Sequence, residues 1–223
     1  MAKLVWDQDG TREFEGGVSQ VALFPMNDGV YGEGVAWSGV TGINENPSGA
    51  DTTDLWADNI KYASLQSAEK FAFGIEALDY PDEWAECDGS KEVAPGVFMG
   101  QQARKAFGLV YRTEIGDDAH PGMDKGHKLN IIYNSTATPS GRSYTTINEN
   151  PDAISMSWDA NSTPAKVNFK IDGKEVRAVS KITIDSTKAN PTKLEALEAK
   201  IYGGDNQTPT MPTPDEVYDA LKN

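Results

Sequence analysis

The residues of this chain best suited to chemistry are carboxylates, and their densest group is Glu76, Asp79, Asp82, Glu83, Glu86 and Asp88. Two carboxyl groups a few ångströms apart in unlike environments are what glycoside hydrolysis requires. Six around one short helix more often make a solvated acidic face. His120 and His127, with Asp117, Asp118 and Asp124 nearby, offer metal-ligand types, but a Gly/Pro/Asp segment of this kind reads more simply as a hydrated turn. Asp7-Gln8-Asp9-Gly10 opens like a calcium loop, yet the bidentate Glu is missing and Arg12 intrudes. Gly29-Val30-Tyr31-Gly32-Glu33-Gly34 does not complete a dinucleotide fingerprint and runs into strand-like sequence. There is no Gly-x-Ser-x-Gly, no Gly-Lys-Thr/Ser phosphate loop and no cysteine pair for zinc. No complete catalytic set emerges, and neither an enzyme activity nor a metal or cofactor is expected.

The elements that position these residues are mostly strands. Val18–Phe24, Val30–Val40, Lys70–Leu78, Ala103–Ile115, Lys128–Tyr133, Ala153–Trp158, Lys166–Ile171 and Val176–Ile184 show alternation or β-branched and aromatic enrichment. Asp172-Gly173 joins the last two as a hairpin turn. Three helices are predicted. A short one around Pro81–Cys87 puts Trp84 and Cys87 on one face. A second starts from Asn190 and Pro191, carries Leu194, Leu197 and Ile201 as a stripe, and stops at Gly203-Gly204. A third has the capping box Thr213 and Glu216 ahead of Val217, Ala220 and Leu221. The polar, Pro-containing linker Asp205–Pro212 suggests that this last helix is a mobile arm ordered against a neighbour.

Two segments break the strand rhythm: His120–His127, and Thr41–Asn59, which carries Glu45, Asp51, Asp54 and Asp58 and no basic residue. A connection as long as the latter is uncommon in a compact domain unless it has a function. Ile-Asn-Glu-Asn-Pro occurs at 43–47 and 147–151, with no further match around the two copies, as turn-favouring residues do by coincidence.

Charge is distributed unevenly. Residues 1–124 hold 22 acidic and 8 basic side chains, whereas 125–223 hold 12 of each, so the whole net charge of −14 lies in one part. A face that acidic repels polyanions, which excludes a phosphate-gripping nucleic-acid binder. The single Cys87 rules out an internal disulfide framework, and Met1–Asp7 lacks an apolar stretch of signal-peptide length. Synthesis in a reducing cytoplasm is therefore expected, and no apolar run approaches membrane-spanning length. The expected domains are a β-sandwich over 1–188 and a helical arm over 189–223.

The order of features carries a resemblance. The acidic loop is followed by Leu55-Trp56-Ala57-Asp58-Asn59 and Tyr62, the strand Phe71–Leu78, a short helix, and Ala106-Phe107-Gly108-Leu109-Val110-Tyr111-Arg112. Over residues 15–185 this succession resembles the major tail proteins, or tail tube proteins, of long-tailed, non-contractile bacteriophages. The resemblance implies a mainly β fold, a tail-tube-type sandwich or barrel with a flanking helix, and stacked, hexameric rings forming a tube. Implied partners are further copies of the chain, a tape measure protein, a tail terminator and distal tail or baseplate proteins, in a virion assembled in the host cytoplasm. Double-stranded DNA would pass through an acidic lumen without specific binding. On this mapping Glu33, Glu69, Glu76 and Glu114 are candidates to line the channel, the alternative being an outer, solvated face. Glu45, Asp51, Asp54, Leu55, Trp56 and Asp58 would belong to an inter-subunit loop anchored by Leu55 and Trp56. Two other readings remain: a tube protein of a contractile or type VI-like injection system, and a carbohydrate-binding β-sandwich.

Overall fold

The computed structural model describes residues 3–119, 122–147, 153–204 and 206–222. Its first strand, β1 (Glu13–Asn27), shows how alternation dictates the architecture. Val21 and Leu23 join one core while Ala22 and Phe24 join another, so β1 must be covered on both faces. Asp28 and Gly29, both at positive φ, turn the chain into β2 (Val30–Tyr31), after which come β3 (Val35–Ala36), β4 (Val40–Glu45) and β5 (Ser48–Gly49). A ribbon follows, β6 (Thr52–Ala57) and β7 (Ile60–Gln66), and then β8 (Glu69–Ala77) and the one-turn helix α1 (Trp84–Cys87). A second ribbon, β9 (Lys91–Ala94) and β10 (Val97–Met99), precedes the long strands β11 (Phe107–Asp117) and β12 (Gly126–Ala137). The remainder is β13 (Met156–Ser162), β14 (Lys170–Ile171), β15 (Lys174–Glu175), β16 (Lys181–Asp185) and helices α2 (Pro191–Tyr202) and α3 (Pro214–Leu221).

The fold is mainly β, built on one ten-stranded antiparallel sheet in which β2, β1, β11, β12, β13, β8 and β4 are successive neighbours. β16 pairs with the first part of β12, from Lys128↔Asp185 to Ile132↔Lys181, whereas β13 takes over at Ser135↔Ser162. The sheet folds over at this exchange, so that β1, β11 and β12 face β13, β8 and β4. Leu23, Leu109 and Ile132 meet Phe73, Ile75 and Trp158 between the two halves. Trp84 of α1 lies in the same core, with ring centroids 4.6 Å from Trp37, 5.0 Å from Phe107 and 5.5 Å from Trp158. A helix of one turn has almost no intrinsic stability, so burial of Trp84 and Cys87 is what holds α1 in place.

α2 and α3 cover the outer face of β1, β11 and β12. Leu194, Leu197 and Ile201 of α2, with Met211 and Val217, share a core with Phe24, Val110, Leu129 and Ile131. Asn190 caps α2, and the capping box of Thr213 and Glu216 closes α3. Glu198 lies half-buried between Arg112 at 2.5 Å and His127 at 2.7 Å, tying α2 to two strands. The last helix is thus not a mobile arm ordered by a neighbour: α3 packs on its own chain, because Val217 and Met211 complete an apolar layer that the linker composition concealed.

Other boundaries also moved. Thr41–Asn59 is not a loop, since it contains most of β4, all of β5 and β6, and the turn into β7. Val30–Val40 is broken by Gly32–Gly34; a Cβ on Gly34 would stand 2.5 Å from the Phe24 ring, so only glycine lets the chain approach there. The Asp172-Gly173 hairpin forms, but its ladder is limited to Lys170↔Glu175 and Ile171↔Lys174. The second Ile-Asn-Glu-Asn-Pro copy, apart from Ile147, and His120 lie outside the described residues.

Burial pushes the Cys87 thiol up to about 12, so it is a neutral thiol at any working pH. Native protein at pH 8 is expected to resist a thiol-alkylating reagent, and unfolded protein in urea to take up one label per chain. Rapid native labelling would show that α1 opens readily.

Candidate functional site

The β6–β7 ribbon is exposed along almost its whole length. Asp58 and Asn59 both have positive φ, at 50° and 59°, and form a two-residue turn of the mirror-image kind suited to the twist of a hairpin. Pairing runs Thr53↔Leu65, Leu55↔Ala63, then Trp56↔Lys61 and Ala57↔Ile60, the shift leaving Tyr62 as a bulge. Because paired side chains share a face, Leu55, Ala57, Ile60, Ala63 and Leu65 form one apolar face. On the other, Asp54 accepts hydrogen bonds from Lys61 at 2.8 Å and Ser64 at 2.5 Å, which hold its carboxyl below the usual range. The apolar face is uncovered: Leu55 is 44%, Ile60 62% and Leu65 57% exposed. A two-stranded ribbon is marginal alone in water, so an apolar face left open on it is a surface suited to a partner.

This geometry redistributes the residues expected in an inter-subunit loop. Asp51, at the base of the ribbon, exchanges hydrogen bonds with Ser67, and Asp58 sits in the turn. Leu55 and Trp56 point to opposite faces, so they are not a joint anchor; Trp56 is 68% exposed on the polar side, opposite Lys61. Glu45 belongs elsewhere, because it sits on β4 and accepts hydrogen bonds from the Tyr111 hydroxyl and from Lys181. Burial and the Glu45 carboxylate raise the Tyr111 phenol far above its ordinary range, keeping it a donor that ties β4 to β11. Ile60 and Leu65 were missed in the sequence; the Asp58-Asn59 dipeptide, which tolerates positive φ, was the available signal.

A second open surface is the outer face of β4, β8 and β13. Inward residues Phe73, Ile75 and Ala77 alternate there with outward Ala72, Gly74 and Glu76. Registered rows cross the three strands as Gly42–Glu76–Ser157 and Asn44–Gly74–Asp159. The face is small-residued and polar, with Glu76 and Asp159 as its carboxylates and Lys70 near one end. Glu76 accepts from Asn44 at 3.0 Å.

The four expected channel residues do not share this face. Glu76 lies on it and Glu69 at the start of the same strand, but Glu69 has the inward parity of Phe71. Glu114 alternates in step with Arg112 toward the helix-covered side, where it accepts from Ser19 at 2.7 Å. Glu33 lies between β2 and β3, in a cleft beside α1. Asp159 was overlooked because β13 runs on to Ser162, past the expected strand end at Trp158.

The dense carboxylate group also disperses. Asp88 pairs with Arg104 at 3.3 Å and Arg142 at 2.6 Å, Glu86 pairs with Lys105, and Glu76 faces away on β8. Asp9 pairs with Arg12. Among the described residues no group of three His, Cys, Asp or Glu side chains is placed to hold a metal ion, and no helix is long and apolar enough to cross a membrane. The geometry offers open surfaces suited to association. Compared with known proteins, the chain matches no protein-family model and none of the curated proteins.

Proposed function

We propose that this chain is a tube-forming structural subunit, the major tail protein of a long-tailed, non-contractile bacteriophage. Copies associate into hexameric rings that stack into a tube, and the tube conducts double-stranded DNA. The reading rests on the β6–β7 ribbon, an amphipathic hairpin standing off a β-sandwich with its apolar face uncovered. A second copy would bury that face. The exposed Leu4, Val5 and Trp6 ahead of β1 support it as further apolar surface without a partner in the monomer. The tape measure, terminator and distal tail proteins would close the tube at its axis and ends, and the virion is where the assembled chain would act.

Within this reading the β4–β8–β13 face is the channel wall. Small neutral side chains with Glu76 and Asp159 give a passing phosphate backbone little to grip beyond Lys70 at one end, and the carboxylates repel it. Tubes carrying Glu76→Lys and Asp159→Lys are expected to retain a fluorescent DNA duplex at low salt and release it as salt rises, because introduced cations displace counterions from DNA. Wild-type tubes should retain none. Equal, negligible retention by both would place this face outside the channel.

A further inference from the structure

We propose that neighbouring copies meet side by side, with the basic segment 166–177 of one seated in an acidic cleft of the next; this rests on the ring reading above. The cleft has a volume of about 850 Å³ and lies between the β9–β10 ribbon, α1 and the outer margin of β1 to β3. Glu33, Asp82, Glu83 and Glu92 line it, and its one cation, Lys105, is already paired with Glu86. Phe98 adds an exposed aromatic surface at its side.

Segment 166–177 has the complementary character. It carries Lys166, Lys170, Lys174 and Arg177 against Asp172 and Glu175, and Lys170 alone makes an ion pair, at 3.6 Å to Glu175. Lys166, Lys174 and Arg177 have no acidic partner among the described residues. At the tip, beside the Asp172-Gly173 turn, Ile171 is half-exposed. An apolar tip flanked by free cations matches a carboxylate-lined cleft with an exposed aromatic.

Sheet order explains why the two belong to different copies. The cleft sits at the β3 edge, and the segment leads into β16 at the opposite edge, with β1, β11 and β12 between. At about 4.8 Å per strand, β3 and β16 stand roughly 19 Å apart across the sheet, and Asn168 and Phe169 tie the segment to Asp215 and Tyr218 of its own α3. Two unlike patches on opposite edges make a heterologous contact, which repeats around a ring when its rotation closes. The contact is distinct from the β6–β7 face, so lateral and stacking associations use separate surfaces.

Charge reversal tests this with the full chain. Lys174→Glu with Arg177→Glu makes the hairpin acidic like the cleft; Glu33→Lys with Glu83→Lys leaves the hairpin basic and removes most of the cleft's negative charge. Each pair alone is expected to weaken association roughly tenfold or more in sedimentation at low salt, since opposed like charges suppress docking. Mixed in equal amounts, the two should regain part of the association, because the unaltered basic hairpin of the second variant meets the unaltered acidic cleft of the first, and wild-type association should fall as salt screens the contact. Circular dichroism confirms that only folded variants are compared; these side chains are exposed, and Glu33→Gln with Glu83→Gln replaces any that misfold. Unchanged association of both folded variants, failure of their mixture to recover, or a wild type that stays monomeric at low salt overturns the proposal. Tubes formed equally well by all variants would overturn it while leaving the tube function standing. Salt-sensitive rings that never stack would support it and count against the stacking reading.

Discussion

Replacing Trp84 by alanine is expected to lower the melting temperature by about 6–20 °C. The indole is fully buried and touches Trp37, Phe107 and Trp158, so truncation removes its transfer energy and leaves a cavity that surrounding strands cannot fill. Loss of a buried Trp costs about 3–5 kcal/mol, and each kcal/mol is worth about 2–4 °C in a chain of this size. Trp84 is the principal anchor of α1, whose single turn cannot persist without it. The cleft beside α1 would therefore lose its shape as well. Thermal unfolding followed by circular dichroism provides the check; a shift below about 3 °C would mean that α1 is peripheral to the core.

The second large effect is on assembly. Ile60→Lys should leave the monomer's melting temperature within about 2 °C of wild type, because the residue is exposed and surface substitutions cost little. On the assembly side it places a charge on the apolar ribbon face at its turn end, opposite Ala57. Burying an introduced charge at an interface commonly costs about 2 kcal/mol or more, so the concentration needed for assembly should rise roughly thirtyfold. Trp56→Ala should likewise leave the monomer folded and weaken assembly, by less than Ile60→Lys because Trp56 lies on the polar side. Light scattering against protein concentration measures both. If Ile60→Lys unfolds the monomer, the ribbon face is covered within its own chain; if assembly is unchanged, the ribbon is not an interface.

Much of the scaffold was legible because alternation and capping are local. Lys70–Leu78 became β8 almost residue for residue, since Phe71, Phe73 and Ile75 alternate with small or polar neighbours. The α2 and α3 starts were readable from Asn190 with Pro191 and from Thr213 with Glu216. What escaped depends on pairing across the chain. The β6–β7 ribbon carries Asp54 and Asp58 among its apolar residues, so its alternation is visible only once the Asp58-Asn59 turn sets the register. Glu45 looked like one acid among several in a loop, and only the fold brings it to Tyr111 and Lys181. The four channel candidates were chosen from three strands, and the fold-over at β12 sends Glu76 and Glu114 to opposite sides. The docking of α3 was hidden for the same reason, since Val217 gains meaning only beside Ile131 and Leu194.

The central claim is that this chain assembles into a tube, and electron microscopy of the purified protein across a concentration series, with light scattering on the same samples, tests it most directly. Stacked rings or hollow tubes, appearing above a threshold concentration and lost in Ile60→Lys, are the expected result. A chain that remains monomeric at the highest concentration, with the Ile60→Lys variant indistinguishable from it, would contradict the account.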